Sequence, residues 1–509
     1  RYLYEIVNIK NKFKRDLMSK RVAVIDLGSN SARMAIFERT SRLGFFILRE
    51  YKVKVRLGEG AYERGGVLQP QAMDNVLHAF SEFKHFLRIY KVNKVLCTGT
   101  SALRDAPNSN IFINMVKREL GLNLRVISGD MEAFYGGLAA LNLLSPLNEA
   151  TTIDIGGGST ELAKIKDGKI VDIISLDIGT VRLKELFFDK GDIDGAIKFT
   201  QEIIAQIPSH FINENIIAIG GSLRAISGAI MQLQNHPIRL VHNFTYEYKN
   251  YLNLISKIAT DKEFDLKNIA IKKDRFDTIR QGALIFSTAA RALEAKMVYT
   301  SGVGIREGVF LANLLRPNLK SKELIQMPQM YKIAFPKGFN PSLKSLQDRF
   351  AKRDNSITTR YAKMLFKILA PIHKINLDYQ NELIIASKLY NIGRSIGFYS
   401  EDAHSGYLVK NALNYGYTHQ QKALIAAMIE YQGKAINSLG EFEKLLPSID
   451  VVRWLSFILG LAGALSLSPN ISFEFSSNTL YIKGAKNFFM LKNEIRKLIK
   501  PEIFVISFE

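Results

Sequence analysis

Short apolar runs followed by glycine-containing turns recur through the first part of the chain. Arg21–Ile25 leads into a turn at residues 26–31 and then into a second run, Met34–Phe37. Thr151–Ile155 repeats this order with a glycine-rich turn directly after it. Runs of this length, bounded by glycine, serine and asparagine, predict β-strands joined by turns.

A third run, Ile216–Ile219, also ends in glycines, and helical patterns lie between the runs. In Ala72–Tyr90, for example, the apolar residues recur three or four positions apart, which predicts an amphipathic helix. Asp26 and Asp154 end the first strands of two similar units and stand 128 residues apart. This repetition predicts a duplicated α/β domain with a cleft between the copies.

The pattern changes after about residue 315, where helical segments dominate from Leu343 to Leu467. Trp454–Leu467 is apolar but shorter than the ~20 residues of a membrane span, so a buried helix is expected there. A hairpin around residues 476–478, a helix at Phe488–Ile499 and a strand at Ile503–Phe508 complete the chain. A mainly helical region with a small α+β end is therefore predicted.

Composition supports folded domains. The chain has 509 residues, of which 47% are hydrophobic and 23% charged, and it contains one cysteine. At roughly 100–200 residues per domain, this length predicts two to four domains. A single cysteine excludes an intramolecular disulfide framework, so a cytoplasmic, reducing location is expected.

The positive charge is concentrated. Lysine and arginine number 69 against 48 acidic residues, for a net charge of +21. Arg316–Lys374 alone holds 13 basic and three acidic residues. Two interpretations stay open: a solvated linker and helix face, or a surface for a polyanion such as polyphosphate, nucleic acid or anionic lipid. The candidate polyanion residues are Lys344, Arg349, Lys352 and Arg353.

The turn after Thr151–Ile155 is the first candidate site. Gly156, Gly157 and Gly158 would let backbone N–H groups approach an anion and adopt positive φ, and Ser159 adds a hydroxyl donor. Asp154 and Glu161 flank the turn, and carboxylate oxygens beside a phosphate site are ligands that Mg²⁺ takes. The alternative is an ordinary hairpin with capping carboxylates.

Three further segments carry candidate groups. The turn with Gly28, Ser29, Asn30 and Ser31 is a second, weaker phosphate site. Arg104 follows a hydroxyl-rich turn and could bind phosphate, or it could form an ion pair with an acid. Glu132 lies in the first turn of a predicted helix, where the helix dipole by itself favours a carboxylate.

In combination, the motifs resemble the exopolyphosphatase/guanosine pentaphosphate phosphohydrolase (Ppx/GppA) family. They run in order over residues 21–311, so the resemblance is specific. The motifs are Asp26-Leu-Gly-Ser-Asn-Ser, Gly99-Thr-Ser-Ala-Leu-Arg-Asp-Ala, Ser128-Gly-x-x-Glu-Ala, Asp154-Ile-Gly-Gly-Gly-Ser-Thr-Glu, Ser175-Leu-Asp-Ile-Gly-Thr-Val-Arg-Leu-Lys-Glu, Gly220-Gly-Ser and Gly304-Ile-Arg-Glu-Gly.

The resemblance implies an α/β fold with two ribonuclease-H-like (actin-like) domains around a cleft, followed by a mainly helical HD-like C-terminal domain. The expected boundaries are 18–131 for domain I, with a helix at about 303–318 added to it, and 132–302 for domain II. The helical region would cover 319–509, with its small α+β end from about residue 471.

The resemblance also implies hydrolysis of terminal phosphate from polyphosphate, or of the 5′ γ-phosphate of pppGpp to give ppGpp. Glu132 would be the general base. Asp154 and Glu161 would hold Mg²⁺. Residues 28–31, Arg104 and the turn at 156–159 would bind phosphates.

The C-terminal part departs from the family pattern. Tyr390-Asn391 stands where His-Asp is expected, only His404 of a histidine cluster is present, and Gly463 replaces an aspartate. An HD metal site needs these ligands together. We therefore expect a metal-free binding and dimerisation module.

Two other functions remain as alternatives. The first is an ATP-dependent kinase of the same superfamily, with Gly220-Gly221-Ser222 as part of an adenosine site. The second is a non-catalytic protein that binds polyphosphate or an alarmone. The expected partners are polyphosphate and/or guanosine penta- or tetraphosphate and a second copy of the chain, without a membrane, and nucleic acid is disfavoured.

Overall fold

The computed structural model describes residues 21–261, 263–315, 333–468 and 470–509. The chain divides into two compact units, Arg1–Phe339 and Asn340–Glu509. The expected start of the C-terminal region at residue 319 lies outside the described residues, so the domain boundaries stay a prediction.

The first unit contains two sheets. The five-stranded sheet has the order β3-β2-β1-β4-β5. Strand β2 is antiparallel to both of its neighbours, β1 and β3, whereas β1, β4 and β5 are parallel. We call this sheet and its helices the first lobe. Its elements are β1 Arg21–Leu27, β2 Ser31–Arg39, β3 Phe45–Lys54, α1 Pro70–Ile89, β4 Lys94–Gly99, α2 Ser101–Arg104, α3 Ser109–Leu120 and β5 Leu124–Val126.

The six-stranded sheet has the order β10-β11-β9-β6-β7-β8. We call this sheet and its helices the second lobe. Its elements are α4 Gly129–Leu143, β6 Glu149–Ile155, β7 Thr160–Lys166, β8 Lys169–Leu176, α5 Thr180–Leu186, α6 Ile193–Ile204, β9 Asn215–Gly220, α7 Gly221–Leu233, β10 Thr245–Glu247, α8 Leu252–Thr260, α9 Ile279–Ala292 and β11 Met297–Thr300.

The two sheets repeat one topology. In each, three antiparallel strands are followed by two strands parallel to the first: β1–β5 in one lobe, and β6–β9 with β11 in the other. The predicted duplication is therefore confirmed. Because parallel strands end at the same sheet edge, the turns after β1 and β6 occupy equivalent places in the two lobes.

A helix from later in the chain completes the first lobe. This helix, α10, spans Ile305–Leu314 and was expected at about 303–318. Its Phe310 stacks on Phe37 of β2 with ring centroids 4.2 Å apart, and Phe45 meets Phe310 edge-on at 4.8 Å. All three rings are almost fully buried, so their packing fixes α10 on the first sheet.

The second unit is mainly helical, as predicted. Its helices are α11 Pro341–Phe350, α12 Ser356–Ile368, α13 Ala370–His373, α14 Gln380–Leu389, α15 Glu401–Ala412, α16 His419–Tyr431 and α17 Ile449–Leu465. Trp454, Phe457 and Leu461 of α17 are buried in the hydrophobic core of this unit. Among the described residues, every helix is too short or too polar to cross a bilayer.

A three-stranded sheet with one helix closes the chain: β12 Ser472–Ser476, β13 Thr479–Lys483, α18 Phe489–Arg496 and β14 Val505–Phe508. Ser477 and Asn478 both have positive φ, which suits a two-residue hairpin turn. The helix predicted to continue to Ile499 ends three residues earlier. The Ile499 N–H bonds instead to the Gly433 carbonyl at 2.8 Å, so a tertiary contact replaces the last helical turn.

Candidate active site

The turns after β1 and β6 meet at the cleft between the lobes. Gly28, Ser29, Asn30 and Ser31 line the cleft from the first lobe, and Gly156 and Gly157 line it from the second. A Cβ at Gly157 would lie 2.7 Å from the Ser29 Cβ, so glycine is needed for the two turns to approach. Both predicted turns thus line one cleft, and their binding of phosphate stays a prediction.

The reason for the glycines differs from the expectation. We expected positive φ at Gly156, Gly157 and Gly158, but none of the three lies in the left-handed region. Close contacts explain them instead. A Cβ at Gly158 would clash with the Tyr62 hydroxyl and lie 2.6 Å from the Ser101 hydroxyl.

Glu132 is placed by the start of α4. Ser128 caps this helix by accepting a hydrogen bond from the Met131 N–H at 3.2 Å, which sets Glu132 in the first turn. Glu132 is 4% exposed and lines the cleft. Burial raises the pKa of Glu132 to about 8, against the opposing effect of Arg104 and with help from Asp26 and Asp154.

Arg104 lies behind Glu132. Its Nη1 donates to Glu132 Oε2 at 3.2 Å, and its Nη2 donates to the Ser159 hydroxyl at 3.4 Å. Arg104, Gly158 and Ser159 do not line the cleft itself. Arg104 thus forms an ion pair with Glu132, and phosphate binding by Arg104 stays a prediction.

Asp154 and Glu161 face one another across the β6–β7 pair, but they occupy different depths. Asp154 lines the cleft, and burial raises its pKa to about 6. Glu161 lies outside the cleft lining and accepts a hydrogen bond from the Ser175 hydroxyl at 3.1 Å. Burial, followed by the charges of Glu132 and Asp154, raises the pKa of Glu161 well above its usual range.

Asp26 is a third cleft carboxylate, and its Oδ1 is buried without a hydrogen-bond partner among the described residues. Burial raises its pKa as well. In the described part of the chain, no three acidic, histidine or cysteine side chains converge closely enough to hold a metal by themselves. Mg²⁺ needs only one or two carboxylates beside phosphate and water oxygens, so Asp26 and Asp154 fit this ion.

Sequence reasoning missed four arginines that line the cleft: Arg33, Arg224, Arg275 and Arg306. Burial, followed by the charges of neighbouring arginines, lowers the pKa of Arg33 to about 10. Among the described residues, the Arg33 guanidinium makes no hydrogen bond or ion pair. In the described part of the chain, Arg224 donates only to the carbonyls of Gly220 and Gly302, at 3.0 Å each.

The sequence contains a signal for two of these four arginines, Arg33 and Arg306. Arg33 lies two residues after Ser31 on the same strand, so its side chain shares the strand face that Ser31 presents. Arg306 lies within the Gly304–Gly308 motif.

The four candidate polyanion residues of the second unit lie on α11 and just after it. Lys344 pairs with Asp348, and the Arg349 guanidinium lies 4.8 Å from the Phe350 ring centre. Arg353 donates to the Tyr390 hydroxyl at 2.8 Å, and Lys352 is exposed. Three of the four side chains thus have local partners, and a polyanion surface here stays a prediction.

The HD-like position is occupied by a pair of amides. Asn391 and Asn355 exchange two hydrogen bonds, at 2.8 and 3.0 Å, and both residues are buried. Two neutral amides that satisfy each other leave no carboxylate oxygen for a cation at this position.

Two lobes of equal topology, which meet at paired glycine-containing turns, are the architecture of the actin-like superfamily. Within it, the chain belongs to the Ppx/GppA phosphatase family, whose family model matches residues 35–317. Residues 341–494 match the model of Ppx/GppA phosphatase domain III. These enzymes hydrolyse phosphoric anhydrides.

A curated relative and two solved structures are similar to this chain. The chain is 26% identical over 454 residues to a guanosine-5′-triphosphate,3′-diphosphate pyrophosphatase of Pseudoalteromonas translucida (strain TAC 125), with 86% of each chain covered. An exopolyphosphatase structure from Cytophaga hutchinsonii ATCC 33406 matches 58% of this chain and 98% of its own, with a TM-score of 0.52 and 23% identity. The Ppx/GppA structure from Aquifex aeolicus matches 59% of this chain and 100% of its own, with 27% identity and a TM-score of 0.49.

Proposed function

We propose that this chain is a Mg²⁺-dependent hydrolase that releases terminal phosphate from inorganic polyphosphate and/or the 5′ γ-phosphate of pppGpp. One observation carries the proposal: the buried Glu132 carboxylate faces the same cleft as two glycine turns and four arginines. The turns and arginines suit a chain of phosphates, and the carboxylate suits a proton acceptor beside it.

In this mechanism a water molecule attacks the terminal phosphorus, and its proton passes to Glu132. A new P–O bond forms, and the bond to the bridging oxygen breaks, so that the shortened chain leaves. Arg104 holds the Glu132 carboxylate through its 3.2 Å contact. Backbone N–H groups of the two turns orient the terminal phosphate, and the arginines neutralise the remaining charge.

Asp154 and Asp26 are the residues of the cleft that would hold Mg²⁺, with Glu161 behind them. When bound, this ion neutralises charge that develops on the transferred phosphoryl group.

The test is Glu132→Gln, assayed for phosphate release from long polyphosphate and from pppGpp. A positioned base contributes about 10²–10⁴-fold, so we expect kcat to fall at least ~100-fold. Assayed above pH 8, where Glu132 is ionised, substrate binding should be unchanged or tighter, because the substitution removes a negative charge that faces an anion.

Asp130→Asn is the matched control, since Asp130 is an exposed carboxylate in the same first turn of α4. It should keep wild-type rates. Turnover by Glu132→Gln close to that of the wild type would refute the base assignment, and no phosphate release by the wild type from either substrate would refute the proposed function.

A further inference from the structure

Two cavities of opposite charge open from the cleft. One, of about 700 Å³, shares Arg33, Gly221, Arg224, Arg275 and Arg306 with the cleft. The other, of about 220 Å³, shares Ser29, Asn30 and Thr278 with it. A phosphate chain bound at the glycine turns and longer than the cleft must extend toward one of them.

The larger cavity is strongly basic, with seven cationic side chains and two acidic ones in its lining. Each acid already has a cationic partner: Glu50 pairs with Arg306 at 2.8 Å and Asp274 with Lys52 at 3.5 Å. Several of the cations therefore have no carboxylate to neutralise them. We call this space the basic cavity.

Arg239 and Lys272 stand at the outer part of the basic cavity. Both are exposed, and neither makes a side-chain hydrogen bond or ion pair among the described residues. They belong to two different loops of the second lobe, residues 234–244 and 270–278, and converge on one space. Uncompensated cations from separate loops around one cavity attract an anion.

The smaller cavity has the opposite character. Glu59, Glu63, Glu185, Asp189 and Asp277 line it, against Arg56 and Lys184. Both cations are already paired, Arg56 with Glu59 at 3.1 Å and Lys184 with Asp189 at 2.6 Å. We call this space the acidic cavity, and it repels a polyanion.

We propose that the phosphates trailing behind the scissile bond extend from the cleft into the basic cavity, where Arg239 and Lys272 form an outer subsite for a linear polyphosphate chain. This inference rests on the proposed function and adds to it a direction for the bound chain and two residues for its recognition. A linear chain is favoured because it continues beyond the cleft, whereas a short substrate ends within it.

The test is the double variant Arg239→Gln/Lys272→Gln, assayed on tripolyphosphate, on polyphosphate of about 100 phosphates and on pppGpp. We expect KM for the long chain to rise about fivefold to tenfold, the effect of two exposed charge contacts. Its dependence on salt should flatten, because fewer counterions are exchanged on binding. kcat/KM for tripolyphosphate and pppGpp should stay within about twofold.

Lys184→Gln/Lys190→Gln removes the same charge beside the acidic cavity, where Lys190 pairs with Glu63 at 3.3 Å. Since screening limits each exposed charge to about 8 Å at physiological salt, this control should leave KM for the long chain unchanged.

Three results would overturn the subsite. These are equal losses on tripolyphosphate and the long chain, a loss on pppGpp as large as that on the long chain, and no loss at all. The second would assign the cavity to the 3′-diphosphate of a nucleotide.

Failure of the proposed function is a separate result, because binding can be measured without turnover. In a Glu132→Gln background, calorimetry with long polyphosphate should give weaker binding once Arg239 and Lys272 are replaced. Equal affinity with and without the two cations would also refute the subsite.

Discussion

Several ionisable side chains in the cleft have neighbours of the same charge. Burial raises the pKa of Glu132 and of Asp154, and neighbouring carboxylates add to this effect: Asp26 and Asp154 for Glu132, and Asp26 for Asp154. Burial lowers the pKa of Arg33 and of Arg224, and neighbouring arginines lower both further. Grouping like charges in a buried space destabilises the fold. A bound cation beside the carboxylates and a bound anion beside the arginines would relieve both repulsions, which supports the proposed binding of Mg²⁺ and phosphates.

The proposed Mg²⁺ site can be tested by substituting single carboxylates. Asp154→Asn and Glu161→Gln should each raise the Mg²⁺ concentration for half-maximal activity, because each removes a charged oxygen. The shift should be larger for Asp154, which lines the cleft, than for Glu161, which lies behind it. The measurement is a Mg²⁺ titration of phosphate release at saturating substrate.

Asp172→Asn serves as the control. Asp172 lies on β8, and its partly exposed carboxylate lies 2.6 Å from His210 Nε2. The Mg²⁺ titration of this variant should match that of the wild type. If Asp154→Asn and Glu161→Gln both keep the wild-type Mg²⁺ requirement, the ion binds elsewhere.

Sequence could identify residues whose signal is local. Glu132 and the glycine turns lie inside contiguous motifs, and the structure places Glu132 and both turns at one cleft. The arginines were missed because they come from separate elements: Arg33 from β2, Arg224 from α7, Arg275 from a short 3-10 helix and Arg306 from α10. Only folding brings them together, and a lone arginine carries no local signature.

At the scale of elements, the turns between strands have the least room to vary. A Cβ at residue 157 would stand 2.7 Å from Ser29 Cβ, closer than side-chain atoms pack. Gly157→Ala should therefore push the turns of the two lobes apart. Since a shift of ~1 Å in a positioning group can cost about 100-fold, we expect kcat/KM to fall by that order.

Gly397→Ala is the control, because its Cβ would meet nothing nearer than 3.8 Å and its φ is not in the left-handed region. It should leave kcat/KM and the thermal midpoint unchanged. Gly157→Ala should remain folded by circular dichroism. Full activity in this variant would mean that the turns need not approach each other during the reaction.

Element types were more predictable than element ends. The spacing of apolar residues that predicts β1, β2, β6 and α1 lies within each of these elements. Each element formed as predicted. The end of α18 was not predictable from its own residues, because Ile499 bonds to Gly433, more than sixty positions earlier in the chain. Contacts between distant residues decide such ends.

At the scale of the whole molecule, the helical unit has what it needs to fold separately. Asn340–Glu509 forms one compact unit, with Tyr361, Phe366 and Trp454 buried in its own core. At the position where the family pattern has His-Asp, Asn391 forms two hydrogen bonds with Asn355. We therefore expect this unit to fold without the sheets of the first unit and without a metal.

The fragment Asn340–Glu509 should thus unfold in a single cooperative transition when heated, with the same midpoint in the presence and absence of EDTA. A structural metal would bind the folded state only, so its removal would lower the midpoint. Metal analysis of the fragment should give far less than one transition-metal ion per chain. Asn391→Asp is the matched variant: it replaces a donor with a charge beside the Asn355 carbonyl oxygen, and should cost about 1–3 kcal/mol of stability. A fragment that carries about one ion per chain, or that loses its transition in EDTA, would show that other ligands replace the missing histidines and aspartates.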